Sequence, residues 1–315
     1  MILAPLRGVT IRCFRETFAE EIRAAGFTEA VTPFITAAPG YDPLKDRELR
    51  GCNPNSPTSQ LPNPPTSQLP NSPTPQLPNP RAPLLLTPQF IGKDPAALRD
   101  CLERVKGAGF TTADLNAGCP FPMVRNKGRG SGLLRTPDVL RRMLEVGCEV
   151  MGEGRFSLKT RLGVERKDEL LALMPLINAF PLRYLTVHAR TAKQMYEGSV
   201  DRAAFAAVAS VAKVPVVENG DIPFPPSHPL TPSPSHPHPL MLGRSFVRAL
   251  GARDDARELL VRYLDASAAE LCGDHSVLGR MKELLSYWQD LPAWRRLWPV
   301  LKICRTVEEL RLSVR

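Results

Sequence analysis

The chain has 315 residues, 43% of them hydrophobic, enough for one large barrel-sized domain with a small companion, or for two medium domains. No run of about 18 apolar residues occurs, which excludes a helical membrane span, and seven cysteines without a CxxC pair argue against a disulfide framework or a zinc site. The formal charge of +9 is compatible with a polyanionic partner such as nucleic acid, although many basic enzymes bind none.

The first residues, Met1-Ile2-Leu3-Ala4-Pro5, lack the basic flank of a signal peptide, so a cytoplasmic protein is expected. Nothing calls for a protein partner or a membrane, and a monomer is the expectation. Residues 2–6 read as a short buried strand entering a loop. Ile11, Phe14, Phe18 and Ile22 fall on one helical face over 11–25. Strand then helix recurs: Leu84–Leu86 before Pro95–Gly107, Thr112–Leu115 before Pro137–Val146, Ser157–Arg161 before 168–179, and Tyr184–His188 before 202–211. Val214–Glu218 and a last short strand at Met241–Gly243 complete the series. Such alternation predicts a parallel sheet, and closure into a barrel is more economical than an open sheet for this many units.

Two segments break the pattern. Residues 56–79 are three Pro-rich octapeptides ending in Gln-Leu-Pro-Asn, read as an extended surface insertion because proline blocks both helix and ladder. Residues 223–239 are rich in Pro, Ser and His and stand where a barrel helix is expected. Their His228, His236 and His238 are irregularly spaced, so no metal site is expected. After about residue 246 only helical patterns remain. There, twelve basic and ten acidic residues nearly balance, and Trp288, Trp294 and Trp298 read as core.

The chemistry-bearing residues fall at strand ends. Leu115-Asn116-Ala117-Gly118-Cys119-Pro120 brings a thiol to the C-terminal end of a strand, where barrel enzymes place their chemistry. There a thiol acts as nucleophile or general acid; a lone Gly-Cys-Pro is more often a turn with a buried structural cysteine, and the loop that follows shifts the balance. Gly128-Arg129-Gly130-Ser131-Gly132 permits close backbone approach to a ligand. Lys159 and Arg161 alternate on one strand, and alternate barrel residues point inward, where an ammonium needs a partner or a ligand. His188 and Arg190 end another strand. Asn219-Gly220-Asp221 and Gly243-Arg244 end the last two, the usual place of a phosphate grip in such barrels. Arg125, Lys127, Arg129, Arg135, Arg141 and Arg142 face one acid, Asp138, either a solvated face or a basic rim.

Taken in order, Ala4–Gly8, Pro88–Gly92, Leu115–Pro120, Lys159–Gly163, Val187–Thr191, Asn219–Asp221 and Gly243-Arg244 resemble the motif series of the tRNA-dihydrouridine synthases. The resemblance spans residues 2 to about 246 outside the insertions, and Gly279–Trp288 resembles the helical domain of the family's C-type branch. It implies an FMN-binding (β/α)8 TIM barrel over 1–245, with Pro-rich insertions at 53–82 and 223–239, then a helical tRNA-binding domain over 246–315. It implies reduction of the C5–C6 double bond of a D-loop uridine in tRNA, with FMN as cofactor, NADPH as reductant and Cys119 as proton donor. Pro5, Leu6 and Arg7 would line the flavin by main chain, Gln89 would contact its ring, and Lys159 would hold it near its reactive edge. His188, Asn219, Gly220, Asp221, Gly243 and Arg244 would form the ribityl and phosphate site, while Asn116 and Arg190 position the base. Leu6 departs from the family's usual Met. Two other readings are a non-catalytic tRNA-binding member and an FMN barrel acting on a small molecule.

Overall fold

The computed structural model describes residues 1–52, 84–224 and 237–314. Its strands are β1 (Ile2–Leu3), β2 (Glu29–Val31), β3 (Ile35–Thr36), β4 (Leu85–Thr87), β5 (Gln89–Ile91), β6 (Ala113–Ala117), β7 (Phe156–Gly163), β8 (Leu185–Thr191), β9 (Val216–Asn219) and β10 (Leu240–Leu242). Neighbours run β3-β5-β6-β7-β8-β9-β10-β1-β2-β4, and every pair is parallel. The two ends of that order are continuations of one another. Residues 32–34 separate β2 from β3, and Pro88 alone separates β4 from β5. β2 pairs β4 while β3 pairs β5, and the Thr32 N–H donates to Thr87 O across the break (3.0 Å). The sheet therefore closes on itself as eight barrel strands, two of them interrupted where proline has no N–H to donate.

The strand at 29–36 has no counterpart in the sequence reading. Its two pieces are three and two residues long, and Pro33 between them hides the alternation. β10 pairs both β9 and β1 (Leu240↔Glu218, Ile2↔Met241), so the last strand forms and closes the barrel despite the Pro-rich stretch before it. Residues 222–224 and 237–239, at the flanks of that stretch, are not helical. The octapeptide repeat, His228 and His236 lie outside the described residues, and His238 meets the Phe205 ring edge-on (5.3 Å).

Helices α1 (Arg12–Thr17), α2 (Ala19–Ala24), α3 (Pro95–Gly107), α4 (Pro122–Arg125), α5 (Pro137–Met151), α6 (Glu169–Ile177), α7 (Arg202–Val211) and α8 (Arg244–Gly251) accompany the strands. The helix expected over 11–25 breaks at Phe18 (φ −103°, ψ 24°). α3 begins where Asp94 Oδ1 accepts from the main-chain N–H of Ala96 and Ala97 (3.0 and 3.4 Å), with Pro95 in the first turn, a strong start signal. α5 runs past Val146 because Gly147 lets it lie flat on β7: a Cβ there would sit 2.0 Å from the Phe156 ring.

The outer face of the sheet and α3, α5, α6 and α7 share one apolar core. Inside the barrel a smaller cluster of Ile2, Ala4, Val31, Tyr184, Val217 and Met241 fills the middle. The final helices, α9 (Ala256–Glu270), α10 (Asp274–Ser286), α11 (Pro292–Arg295), α12 (Trp298–Ile303) and α13 (Val307–Val314), pack into a core shared with α1, α2 and α8. Trp288 and Trp294 are buried there, their rings 4.9 Å apart. Their indole N–H groups donate to Val247 O and Gly251 O of α8 (both 2.7 Å). These tryptophans are core, as their sequence context suggested. Among the described residues no helix is long and apolar enough to cross a membrane.

Candidate active site

Alternation along the strands decides what faces the barrel interior. On β7, Phe156, Leu158 and Leu162 join the core under the helices, so Ser157, Lys159 and Arg161 point inward. Register carries this across the sheet: Asn116 lies beside Lys159, Arg161 beside His188, and His188 beside Asn219. The C-terminal end of the barrel thereby gathers nearly every residue singled out in the sequence, in two corners.

The first corner carries the thiol. Cys119 is 7% exposed, and the segment that follows folds back over it. Ser131 gives both its main-chain N–H and its hydroxyl to Cys119 O (3.1 and 2.9 Å). Gly130 has φ +56°, and a Cβ there would stand 2.7 Å from the Cys119 Cβ, so glycine is required for the approach. Asn116 Oδ1 accepts from the N–H of Gly118 and Cys119 (3.0 and 2.8 Å), and Asn116 Nδ2 donates to Gln89 Oε1 (2.8 Å). Burial pushes the Cys119 thiol above its ordinary pKa, and Arg161 and Arg7 only partly oppose this. The sulfur is therefore a protonated thiol at neutral pH.

The second corner is cationic. Lys159 Nζ donates to Asn219 Oδ1 (2.8 Å), and Asn219 Nδ2 donates to Met241 O (2.7 Å). Burial, then the charge of Arg161, lowers Lys159 to about 8. Arg161 is held by Gly118 O, Thr191 O and Met195 O (3.0, 3.0 and 2.6 Å), and burial lowers it to about 10. Arg190 is 1% exposed and is bound to Asp221, His188 Nε2 and the carbonyls of Glu197 and Gly198. Arg244 also reaches Asp221 (2.6 Å). An arginine only donates, so His188 Nε2 accepts from Arg190. Burial and the charges of Arg161, Lys159, Arg190 and Arg244 hold His188 far below its ordinary pKa, hence neutral. Tyr196 lies between Arg161 and Arg244, 5.3 and 4.9 Å from their guanidinium carbons.

Arg190 belongs to this second corner rather than beside Asn116, the residue it was grouped with from sequence. Pro5 and Leu6 lie at the mouth, with the Leu6 N–H bonded to Thr10 Oγ1 (2.7 Å). Arg7 is exposed and rests over Phe34 (5.5 Å). Gly243 backs onto the same loop, where a Cβ would meet Ala4 at 3.0 Å. Two residues of the site were missed. Asp114 lies two positions before Asn116 on the same inward face, a signal that alternation alone supplies. Tyr196 comes from an aperiodic loop that carries no such signal. Outside the mouth, Arg135 is tied to Glu165 (2.6 Å), whereas among the described residues no carboxylate lies within ion-pair distance of Arg125, Lys127 or Arg129.

Fold and site together define a (β/α)8-barrel protein whose C-terminal mouth couples a protonated thiol to a cation cluster. The chain belongs to the dihydrouridine synthase (Dus) family, whose sequence model matches residues 2–245. A probable tRNA-dihydrouridine synthase of Helicobacter pylori is 32% identical over 136 residues, 42% of this chain and 41% of that protein. A tRNA-dihydrouridine synthase B of Vibrio vulnificus is 30% identical over 138 residues, 44% and 42% of the two chains. The match thus spans about two fifths of these curated relatives. The fold resembles that of the old yellow enzyme homologue from Zymomonas mobilis, with a TM-score of 0.51 at 12% identity over 79% of this chain and 85% of that one. It also resembles TcOYE in its structure with pHBA (TM-score 0.50, 11% identity, 82% and 88% covered).

Proposed function

We propose that this chain is an FMN-dependent tRNA-dihydrouridine synthase that reduces the C5–C6 double bond of a D-loop uridine, with NADPH as reductant and Cys119 as proton donor. The observation that carries the reading is the composition of the second corner: four cations gather around His188, and among the described residues the one carboxylate that ion-pairs with any of them is Asp221, bound to Arg190 and Arg244. So much buried positive charge is costly without an anion. The backbone there suits one. Gly220 has φ +111° and no room for a Cβ beside His188, and Gly243 has little beside Ala4 and Leu6. α8 starts at Arg244 with no side-chain cap, which leaves first-turn N–H groups for a phosphate. The residues fit a flavin mononucleotide. His188, Asn219, Gly220, Asp221, Gly243 and Arg244 would hold ribityl and phosphate, and Gln89, Lys159 and the Pro5–Arg7 main chain would hold the ring.

When bound, FMN supplies the hydride that uracil carbon-6 receives. Hydride addition leaves negative charge toward carbon-5, which needs a nearby acid. Cys119 is that acid: burial keeps its proton on, and its main chain is clamped by Asn116 on one side and Ser131 on the other. Arg190 would orient the base or the adjoining phosphate. A uridine must leave its stack to reach a barrel mouth. Arg125, Lys127 and Arg129, beside exposed Phe121 and Met123, would form the rim that receives the RNA backbone. We take 1–245 as the catalytic domain and the helices from 246 as the tRNA-binding one.

The test is the visible absorption spectrum of the purified protein before and after FMN is added. A flavin band that NADPH bleaches and unmodified tRNA restores is expected. No flavin with FMN in excess would overturn the reading, and a colourless protein that still retains tRNA would mark a non-catalytic binder. Reoxidation by free uracil instead of tRNA would favour a small-molecule oxidoreductase.

Lys159 makes flavin binding pH-dependent. In the free protein its pKa is lowered to about 8, and an anionic partner would raise it, so binding is strongest where Lys159 is already protonated. FMN affinity should be flat below about pH 8 and fall above it by up to about tenfold per pH unit. Quenching of FMN fluorescence on titration across that range reads this directly, and Lys159→Met should flatten the profile.

A further inference from the structure

We propose that Asp114 is a positioning residue for the proton donor, acting through a one-way hydrogen-bond relay from Asp114 through Gln89 and Asn116 to the Cys119 main chain. This rests on the reading of Cys119 as the acid.

Asp114 and Gln89 are fully buried inside the barrel, and Asn116 nearly so. Gln89 Nε2 donates to Asp114 Oδ2 (2.7 Å). Asn116 Nδ2 donates to Gln89 Oε1 (2.8 Å). Asn116 Oδ1 then accepts from the N–H of Gly118 and Cys119 (3.0 and 2.8 Å). The two ends fix the direction. An ionised carboxylate only accepts, and a main-chain N–H only donates. Turning either carboxamide over would set oxygen against oxygen or N–H against N–H, so each amide has one orientation compatible with its neighbours.

The charge of the carboxylate also favours the protonated form of Lys159, a role that the Asp114→Asn variant below separates from the relay. The remaining partner of Asp114 is the Ser157 hydroxyl (2.6 Å), and among the described residues no cation lies within ion-pair distance of it. An apolar side chain of similar size would be cheaper to bury. Burial raises its carboxyl to about 6, which leaves it ionised at neutral pH and acceptor-only. The carboxylate thereby points the Gln89 and Asn116 amides, and the second amide locates the main chain that carries the thiol.

The experiment compares Asp114→Ala, Asp114→Asn and Gln89→Leu in the full-length protein. One readout is alkylation of Cys119 by iodoacetamide, followed by mass spectrometry of its peptide. The other is the separate rates of flavin reduction by NADPH and reoxidation by tRNA. Asp114→Ala is expected to lower the tRNA-dependent rate about 10- to 100-fold through kcat rather than the KM for tRNA, with flavin reduction slowed much less and Cys119 alkylated at a different rate. Asp114→Asn should recover most of the rate, because its carbonyl can accept from Gln89 while its amide donates to Ser157. Gln89→Leu removes both the donor to Asp114 and the acceptor for Asn116 and should alter Cys119 alkylation as Asp114→Ala does, which keeps the test decisive if the alanine variant does not fold. Unchanged alkylation in both disrupting variants, or Asp114→Asn as slow as Asp114→Ala, would overturn the relay. Failure of the functional reading shows separately, as wild-type protein that tRNA does not reoxidise.

Discussion

Cys119→Ala is expected to slow tRNA-dependent reoxidation of the reduced flavin by about 10² to 10⁴-fold, the range a positioned general acid contributes. Flavin content and reduction by NADPH should stay at the wild-type level. The separation follows from the geometry. Cys119 is tied to Asn116 and Ser131 through its main chain, which the substitution keeps, and the cation cluster is built from other strands. The change removes one buried sulfur, a stability cost on the order of 1 kcal/mol, so loss of fold does not explain the loss of rate. The pH profile gives a second readout. Burial raises the Cys119 pKa, so the donor form is populated through neutral pH and lost only as pH climbs past that raised value. The wild-type rate should therefore fall on the alkaline side, and the residual rate of the alanine variant should lack that limb. Stopped-flow measurement of flavin absorbance on mixing with tRNA reads both. A variant as fast as wild type would mean the proton comes from another group.

The parts of this molecule that were legible in its sequence share a physical cause. α3 could be bounded at both ends because Asp94-Pro95 starts a helix by hydrogen bonding and Gly107 ends the apolar periodicity. Lys159 and Arg161 could be placed inside the barrel because a strand alternates faces whatever its neighbours are. His188 and Arg190 follow the same rule, but facing inward does not by itself tell the two corners apart, and Arg190 joins the second through Asp221 and His188. What could not be read depends on contacts between distant segments. β2 and β3 are too short and too interrupted at Pro33 to show a period, and they exist because β1 and the β4–β5 strand flank them. Tyr196 joins the site because Met195 O, Glu197 O and Gly198 O are held by Arg161 and Arg190, a pairing no local pattern announces. Asp114 looked like one polar residue in a short strand, and its meaning lies in the acceptor it offers to Gln89.

Gly220→Ala should cost both stability and flavin affinity, and the two losses can be separated. At φ +111° a side chain is strained by about 1–3 kcal/mol. The added Cβ would also stand 2.5 Å from His188 Cδ2, 2.8 Å from its Nε2 and 3.0 Å from Val200 Cγ1. His188 cannot turn aside freely, because it is buried and Arg190 holds its Nε2 at 3.1 Å. Relieving the overlap must move the imidazole or the 219–221 backbone, at a further cost of about 1–3 kcal/mol. At about 2–4 °C per kcal/mol for a domain of this size, the melting temperature should drop by roughly 5–15 °C. Gly152→Ala supplies the comparison. Gly152 has φ +97°, and nothing lies within 4 Å of where its Cβ would go, so it suffers the backbone strain alone and lies at the C-terminal end of α5, away from the cation cluster. It should melt a few degrees early and bind FMN with wild-type affinity. Gly220→Ala should melt earlier still and lose at least about tenfold in affinity, about 1.4 kcal/mol, because the residues displaced are those proposed to grip the ribityl phosphate. Equal affinity in the two variants would mean that the 219–221 turn does not touch the cofactor and that the anion of the cation cluster lies elsewhere along the mouth.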